Sequence, residues 1–464
     1  MTENPPPKSQ DPKATPVASV ALDTGELIEM VYRPEERSTA FVRSDDQGLF
    51  GFEAAIDLPG GERLVPYSPR NNLLKHEVVL LPSGPEEYGS DSELLAEIKS
   101  FIHRYVDVTP LFEEIASYYV LLTWIYDAFN ELPYLRVRGD FGSGKTRFLL
   151  TVGSICYKPI FASGSSTVSP LFRILDAFRG TLIIDEGDFR LSDEKAEVVK
   201  ILNNGNARGF PVLRSEATGR KEFDPRAYEV FGPKLVATRG FFEDRALESR
   251  CITEDMGQAS LRDDIPLNLD DSHKAEALAL RNKLLLFRFR NLGKGYQVER
   301  VVDRAIEPRL NQIFAPLLAV TQDPEARQNL QTLLRRYNKE LMADRGMEIE
   351  AQLLEVIRDA LAGSADGTVS VKEIANWFAD RHGEDYERRV TPKWIGSIVR
   401  KRLRLQPERL HGVFVIPQSE QPKLKRLYYK YGLGGEESAG DAPADATAQD
   451  LFTSAGGLGD LGGH

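Results

Sequence analysis

Gly139-Asp140-Phe141-Gly142-Ser143-Gly144-Lys145-Thr146 decides how this chain is read. It fits the spacing G-x-x-x-x-G-K-[ST] at every fixed position. Glycines let a loop turn tightly, so that successive backbone N–H groups point inward at phosphate oxygens. The loop then opens a helix, whose N-terminus is electropositive. Lys145 is expected to reach the β- and γ-phosphates, and the Thr146 hydroxyl to ligate Mg²⁺. The flanks agree with this reading. Leu135-Arg136-Val137-Arg138 has the pattern of a strand, and Arg147 to Ile155 that of an apolar helix.

Further along comes Gly180-Thr181-Leu182-Ile183-Ile184-Asp185-Glu186. A wholly apolar run ending in two acids predicts a buried parallel strand. It delivers its carboxylates to the C-terminal edge of the sheet, where ligands sit in open α/β folds. Asp185 suits the outer shell of Mg²⁺, and Glu186 suits polarising an attacking water. Asp188 reads as a solvated turn residue, with metal contact as the second reading. Further strands at Pro159-Ile160-Phe161 and Lys234-Leu235-Val236-Ala237-Thr238 alternate with helical stretches. The fold class predicted is α/β, a largely parallel sheet with helices on both faces.

GDFGSGKT paired with TLIIDE resembles the AAA+ P-loop ATPases. More narrowly, residues 110 to 345 resemble the mini-chromosome-maintenance and superfamily 3-like replicative helicases of bacterial plasmids, phages and integrating elements. The resemblance implies ATP and Mg²⁺ as cofactors, DNA as partner and a homo-oligomeric ring such as a hexamer. It implies a sensor at the end of the next core strand, which is Thr238, although the family pattern favours asparagine there. It also implies an arginine finger within Glu243 to Cys251, with Arg250 the first choice and Arg245 the second, to stabilise charge on the transferred phosphoryl group. Arg309 is the candidate for a second sensor. In helicase-like members a hairpin before the sensor strand faces the ring channel. Here Asn203 to Arg214 is the candidate, with Arg208 and Arg214 as phosphate contacts and Lys221 behind them. An ordinary charged hairpin is the other reading.

The rest of the chain is read from pattern. Residues 1–17 read as a disordered leader and 18–90 as a small β-rich domain. Residues 91–270 are the ATPase core with its preceding helices, the first capped by Asp91 or Ser92 and the second opened by Pro110. A helical lid (271–348), a winged helix-turn-helix (349–433) and a disordered acidic tail (434–464) complete the division. In the winged helix, Ser370-Val371-Lys372-Glu373 is a capping box, and Thr391-Pro392 opens the third helix. Lys393, Arg400, Lys401, Arg402 and Arg404 face outward for DNA phosphates. Contacts with another protein, or a solvated basic face, are the other readings of these cations.

Charge is unevenly placed. The 464 residues carry a net −11, which on bulk charge disfavours nucleic acid. Residues 386–430, however, hold 12 Lys and Arg against 3 Asp and Glu, whereas 434–464 hold no base and 6 acids. Two cysteines make neither a disulfide framework nor a zinc site. With no signal-type or membrane-length apolar run, the expectation is a cytoplasmic protein. Three functions stay open: a DNA motor, an ATP-gated DNA-binding switch that does not unwind, and a remodeller of protein substrates.

Overall fold

The computed structural model describes residues 14–22, 26–44, 50–163, 168–185, 193–217, 223–242, 244–257, 262–346, 349–364, 367–382, 390–410, 412–431 and 433. The chain divides into two compact units, 1–334 and 335–464.

The first unit begins with short strands: β1 (Ala14–Val17), β2 (Ser19–Ala21), β3 (Leu27–Arg33), β4 (Ser38–Ser44), β5 (Phe50–Glu53), β6 (Ile56–Asp57) and β7 (Arg63–Pro66). They form an antiparallel sheet β2-β3-β4-β5 and a small sheet β1-β7-β6. Their inward residues Ile28, Met30, Phe41 and Leu64 belong to the same buried cluster as Leu182, Ile184 and Val236 of the central sheet. The β-rich segment therefore shares its hydrophobic core with the parallel sheet and is not a separate domain.

Helices α1 (Asn72–Lys75), α2 (Asp91–Tyr105) and α3 (Pro110–Trp124) lead into the alternating region. The cap of α2 is Ser90, not Asp91 or Ser92, because the backbone is still extended at Ser90 and already helical at Asp91. Ser90 and Glu93 make a reciprocal capping box. Thr109 caps α3, and Pro110 opens it as the sequence predicts.

Then come β8 (Tyr134–Arg138), α4 (Lys145–Ser154), β9 (Ile160–Ser163), α5 (Val168–Phe178), β10 (Leu182–Asp185), α6 (Asp193–Asn204), β11 (Val212–Ala217), β12 (Phe223–Tyr228), β13 (Lys234–Thr238), α7 (Arg245–Glu248) and β14 (Cys251–Asp255). Among the described residues, β14-β8-β13-β10-β9 form one sheet in that order, with every pairing parallel. Leu135, Val137, Leu182, Ile183, Leu235 and Val236 are all buried, as strands covered on both faces require. Register aligns Thr238 with Arg138 and Ile184 with Val236. The loop after β8, the acid ending β10 and the threonine ending β13 therefore stand at one edge of the sheet. At the opposite end of β13, the buried Lys234 ammonium donates to the carbonyls of Gly205, Val230 and Gly232 at 2.9 to 3.2 Å. Helices α8 (Asp271–Asn291), α9 (Pro308–Val320) and α10 (Pro324–Gly346) come after β14.

The second unit contains α11 (Ile349–Ala362), β15 (Val369–Ser370), α12 (Val371–His382), α13 (Pro392–Lys401), β16 (Glu408–Leu410), β17 (Val413–Ile416) and α14 (Gln421–Lys430). Its strands form an antiparallel sheet in the order β15-β17-β16. Leu353, Ile357, Ile374, Phe378, Ile395 and Val399 fill its core. The Ser370–Glu373 capping box forms as the sequence predicts, and Thr391 caps α13 ahead of Pro392. No helix among the described residues is long and apolar enough to cross a membrane.

Candidate active site

Gly139 leaves β8 directly, and its N–H donates to the Thr238 carbonyl at 3.1 Å. A Cβ at Gly139 would stand 2.6 Å from the Met256 carbonyl and 2.7 Å from the Ser143 hydroxyl, so no side chain fits. Gly142 and Gly144 have φ of 81° and 91°, the left-handed region that glycine occupies without strain. Gly144 opens α4 with no side-chain cap, whereas Ser90, Thr109 and Asp270 cap α2, α3 and α8. The positive end of α4 is thus left to whatever anion enters the loop.

Lys145 Nζ donates to the carbonyls of Gly139 and Asp140, both at 2.7 Å, which holds the ammonium against the loop. Thr146 Oγ1 donates to Asp185 Oδ2 at 2.7 Å, joining the start of α4 to the end of β10. A hydroxyl beside a carboxylate is the oxygen pair that a hard divalent cation takes. Thr238 is buried, and its hydroxyl donates to the Gly240 carbonyl at 2.9 Å. Lys145, Thr146, Asp185, Thr238 and Arg239 line one cavity of about 340 Å³. These residues fit a polyphosphate with its metal: Gly139 has no room for a Cβ, Gly142 and Gly144 take left-handed backbone, the helix end has no side-chain cap, and an ammonium and a hydroxyl–carboxylate pair face the cavity.

A second cavity of about 550 Å³ adjoins the loop, lined by Val106, Asp107, Asp140, Met256, Ile265 and Leu267 among others. The Arg147 guanidinium draws its wall onto α4 by donating to the carbonyls of Pro266 and Leu267. Sequence reasoning missed this cavity. Its lining joins Val106 and the loop after β8 to Met256 and Leu267, more than a hundred residues further on, and no local pattern links them.

Glu186, Asp188 and Lys221 lie outside the described residues, as do residues 1–13 of the leader and the 434–464 tail. Arg245 is the first residue of α7, but its side chain lies outside the described set.

Arg250 lies far from this edge. The strand it precedes begins level with Tyr134, at the far end of β8 from the loop, a separation of about 13 Å at strand spacing. Its guanidinium donates to Asn206 Oδ1 and Asn203 Oδ1, both at 2.7 Å. Arg309 stands in the same cavity, of about 530 Å³, and donates to the Ala246 carbonyl at 2.9 Å. Among the described residues neither arginine has a carboxylate within ion-pair distance. Burial, then the neighbouring Arg309 charge, lowers the Arg250 pKa. Arg309 therefore accompanies Arg250 and not the loop, where a sensor for the same chain's nucleotide would be needed.

A hairpin does form, but from β11 and β12 and so later than the expected Asn203 to Arg214; Arg214 lies on its first strand, Arg208 precedes it, and both have internal partners. Arg208 donates to the carbonyls of Phe129 and Asp127 and lies over the Phe231 ring. Arg214 makes a two-pronged pair with Glu197 at 2.8 and 2.6 Å. In the second unit Lys393, Arg400, Lys401 and Arg404 are exposed, and Arg402 pairs with Glu350 at 3.1 Å.

No protein-family model matches the chain, and no curated protein matches it. Several solved structures share a faint likeness. The apo C-terminal region of NrS-1 is 11% identical with a TM-score of 0.34, covering 84% of this chain and 96% of that one. SCCmec type IV Cch, an active helicase, is 12% identical with a TM-score of 0.33, covering 88% and 95%. The JCV helicase is 13% identical with a TM-score of 0.24, covering 54% and 62%. Likeness this faint does not bear on function, which rests on the residues themselves.

Proposed function

We propose that this chain is an ATP-dependent DNA motor, a helicase or translocase, that works as a homo-oligomeric ring in the cytoplasm during replication of a mobile element. The observation that carries this is the Gly139–Thr146 loop with the Thr146–Asp185 pair at 2.7 Å. Backbone N–H groups of the loop and Lys145 bind the β- and γ-phosphates. Thr146 and Asp185 hold the metal. The cavity at Val106, Met256 and Ile265 takes the base. Bound Mg-ATP supplies the phosphoanhydride and the divalent charge that offsets developing negative charge. Glu186 orients and polarises water, and Thr238 fixes the geometry between loop and acid.

Arg250 stands too far from its own loop to serve it, which supports action on a neighbour's nucleotide. A contact of that kind is head-to-tail, and it closes into a ring or continues as a filament. Arg245 is the alternative finger. In the second unit, α11, α12 and α13 with an antiparallel sheet and exposed Lys393, Arg400, Lys401 and Arg404 support a DNA-binding winged helix, to which α14 is added.

The internal partners of Arg208 and Arg214 favour a second reading, an ATP-gated DNA-binding switch that does not unwind. ATPase rates with single-stranded and duplex DNA across a salt series, together with strand displacement from a forked duplex, test both. The motor requires DNA-stimulated turnover and displacement. Stimulation without displacement selects the switch, and stimulation by a protein alone selects a remodeller. Glu186→Gln should bind ATP, lose turnover and accumulate as a nucleotide-trapped assembly. Undiminished turnover rules out Glu186 as the base.

A further inference from the structure

We infer that the β16–β17 hairpin is a blade that enters the junction between duplex and single-stranded nucleic acid, with Phe414 as its stacking surface. This rests on the reading of the second unit as DNA-binding. The two strands pair through Leu410 with Val413 and Arg409 with Phe414. Gly412, at φ 87°, leads into β17. Alternate side chains of a strand take opposite faces. Leu410 and Val413 therefore share one face of the tip, and Phe414 and Arg409 the other.

Leu410, Val413 and Phe414 are 49%, 43% and 47% exposed, and Arg409 is exposed beside them. The base of the hairpin behaves differently. Ile416 is fully buried in the core of the unit and pairs with Val369 of β15. The exposed apolar surface is thus confined to the tip and present on both of its sides. A flat partner covers one side of a ribbon and leaves the other in water. An apolar tip with two wet sides is covered by something that parts around it.

The charge nearby says what that is. The Arg400 guanidinium lies 5.8 Å from the Phe414 ring centre. Arg409 is cross-strand from Phe414, and Lys401 and Arg404 are exposed at the end of α13. The complement of this surface is a polyanion that also offers flat apolar faces, which is nucleic acid with unstacked bases. A closed duplex hides those faces and a lone strand passes on one side only. A junction supplies bases to stack on Phe414 and a strand for each side of the tip, with phosphates reaching the arginines.

The test uses the full chain without nucleotide. Fluorescence anisotropy compares a forked duplex, a blunt duplex and a single strand, with 2-aminopurine at the last base pair of the fork reporting unstacking. The native protein should prefer the fork and change the 2-aminopurine signal. Phe414→Ala should weaken fork binding about tenfold, abolish the signal and leave the salt dependence intact. Its exposed position keeps the fold unaffected. Arg400→Ala should weaken binding to all three DNAs and lower the salt slope by about one. If Phe414→Ala matches the native protein on every DNA while Arg400→Ala weakens them, the blade is overturned and DNA binding stands. If Arg400→Ala and Phe414→Ala both leave every affinity unchanged, the blade and the DNA-binding reading fall together.

Discussion

The first unit keeps two polar regions on opposite terms. Glu29, Asp127, Lys158 and Arg288 converge from β3, the turn after α3, the turn after α4, and α8. Each is committed to a partner inside the chain. Arg288 bonds Glu29 at 2.7 Å and Asp127 at 2.6 Å. Lys158 bonds Glu29 and the Ala18 carbonyl, both at 2.8 Å. The Tyr157 hydroxyl donates to Glu29 at 2.8 Å. At the edge of the parallel sheet, by contrast, Lys145 rests on carbonyls of its own loop and α4 begins without a side-chain cap. The first region holds β3 and α8 to the core. The second keeps donors that a ligand can recruit. The partner, not the residue type, separates a cation that maintains the fold from one that serves binding.

The largest test of this contrast is Arg288→Met, which takes the paired cation from Asp127 and leaves Glu29 with only Lys158 and the Tyr157 hydroxyl. It should cost about 3–5 kcal/mol in urea unfolding; a loss near zero would erase the distinction. Lys145→Ala should do the reverse. Its melting temperature without ligand should match the native protein, while the stabilisation by Mg-ATP, about 2.7 kcal/mol at a hundredfold excess over Kd, should vanish. Retained stabilisation would remove Lys145 from the site.

A pH series probes the buried side more gently. Burial pushes the Lys158 pKa down to about 8, against the opposing pull of Glu29. The unfolded chain holds that proton up to a pKa of about 10.4. Between these values the unfolded state binds more protons, so this group makes stability rise with pH, by at most about 1.4 kcal/mol per pH unit. Lys158→Met should flatten that slope, and an unchanged slope in urea midpoints would contradict the assignment. Smallest of all, Arg214→Ala breaks a part-exposed pair worth about 0.2–1 kcal/mol. It should leave DNA affinity unaltered, and a clear loss of affinity would return Arg214 to the nucleic-acid surface.

What could be read in advance depends on the reach of the signal. Lys145, Thr146 and Asp185 were legible because each sits at a strand end or helix start that its immediate neighbours define. Thr238 was legible as the last residue of an apolar strand. The parallel sheet followed from those same runs, but its order did not, since nothing local says that β13 lies between β8 and β10. The fates of Arg208, Arg214 and Arg309 were hidden for a related reason. Their partners Phe129, Glu197 and Ala246 lie 79, 17 and 63 residues away, and a count of cations does not reveal who neutralises them. Ser90 was a nearer miss: capping residues cluster, and only the backbone angle chooses among them.

β13 has a mechanical consequence. Its Thr238 end borders the phosphate cavity. Its Lys234 end is pinned to Gly205, in the turn that follows α6, and Asn203 at the end of that helix and Asn206 in the turn grip Arg250. An extended strand barely stretches, so it acts as a push-rod. If the chain assembles head to tail as proposed, a displacement at the phosphate cavity would pass along this strand to the arginine facing the neighbouring subunit, and the subunits would fire in sequence instead of at random.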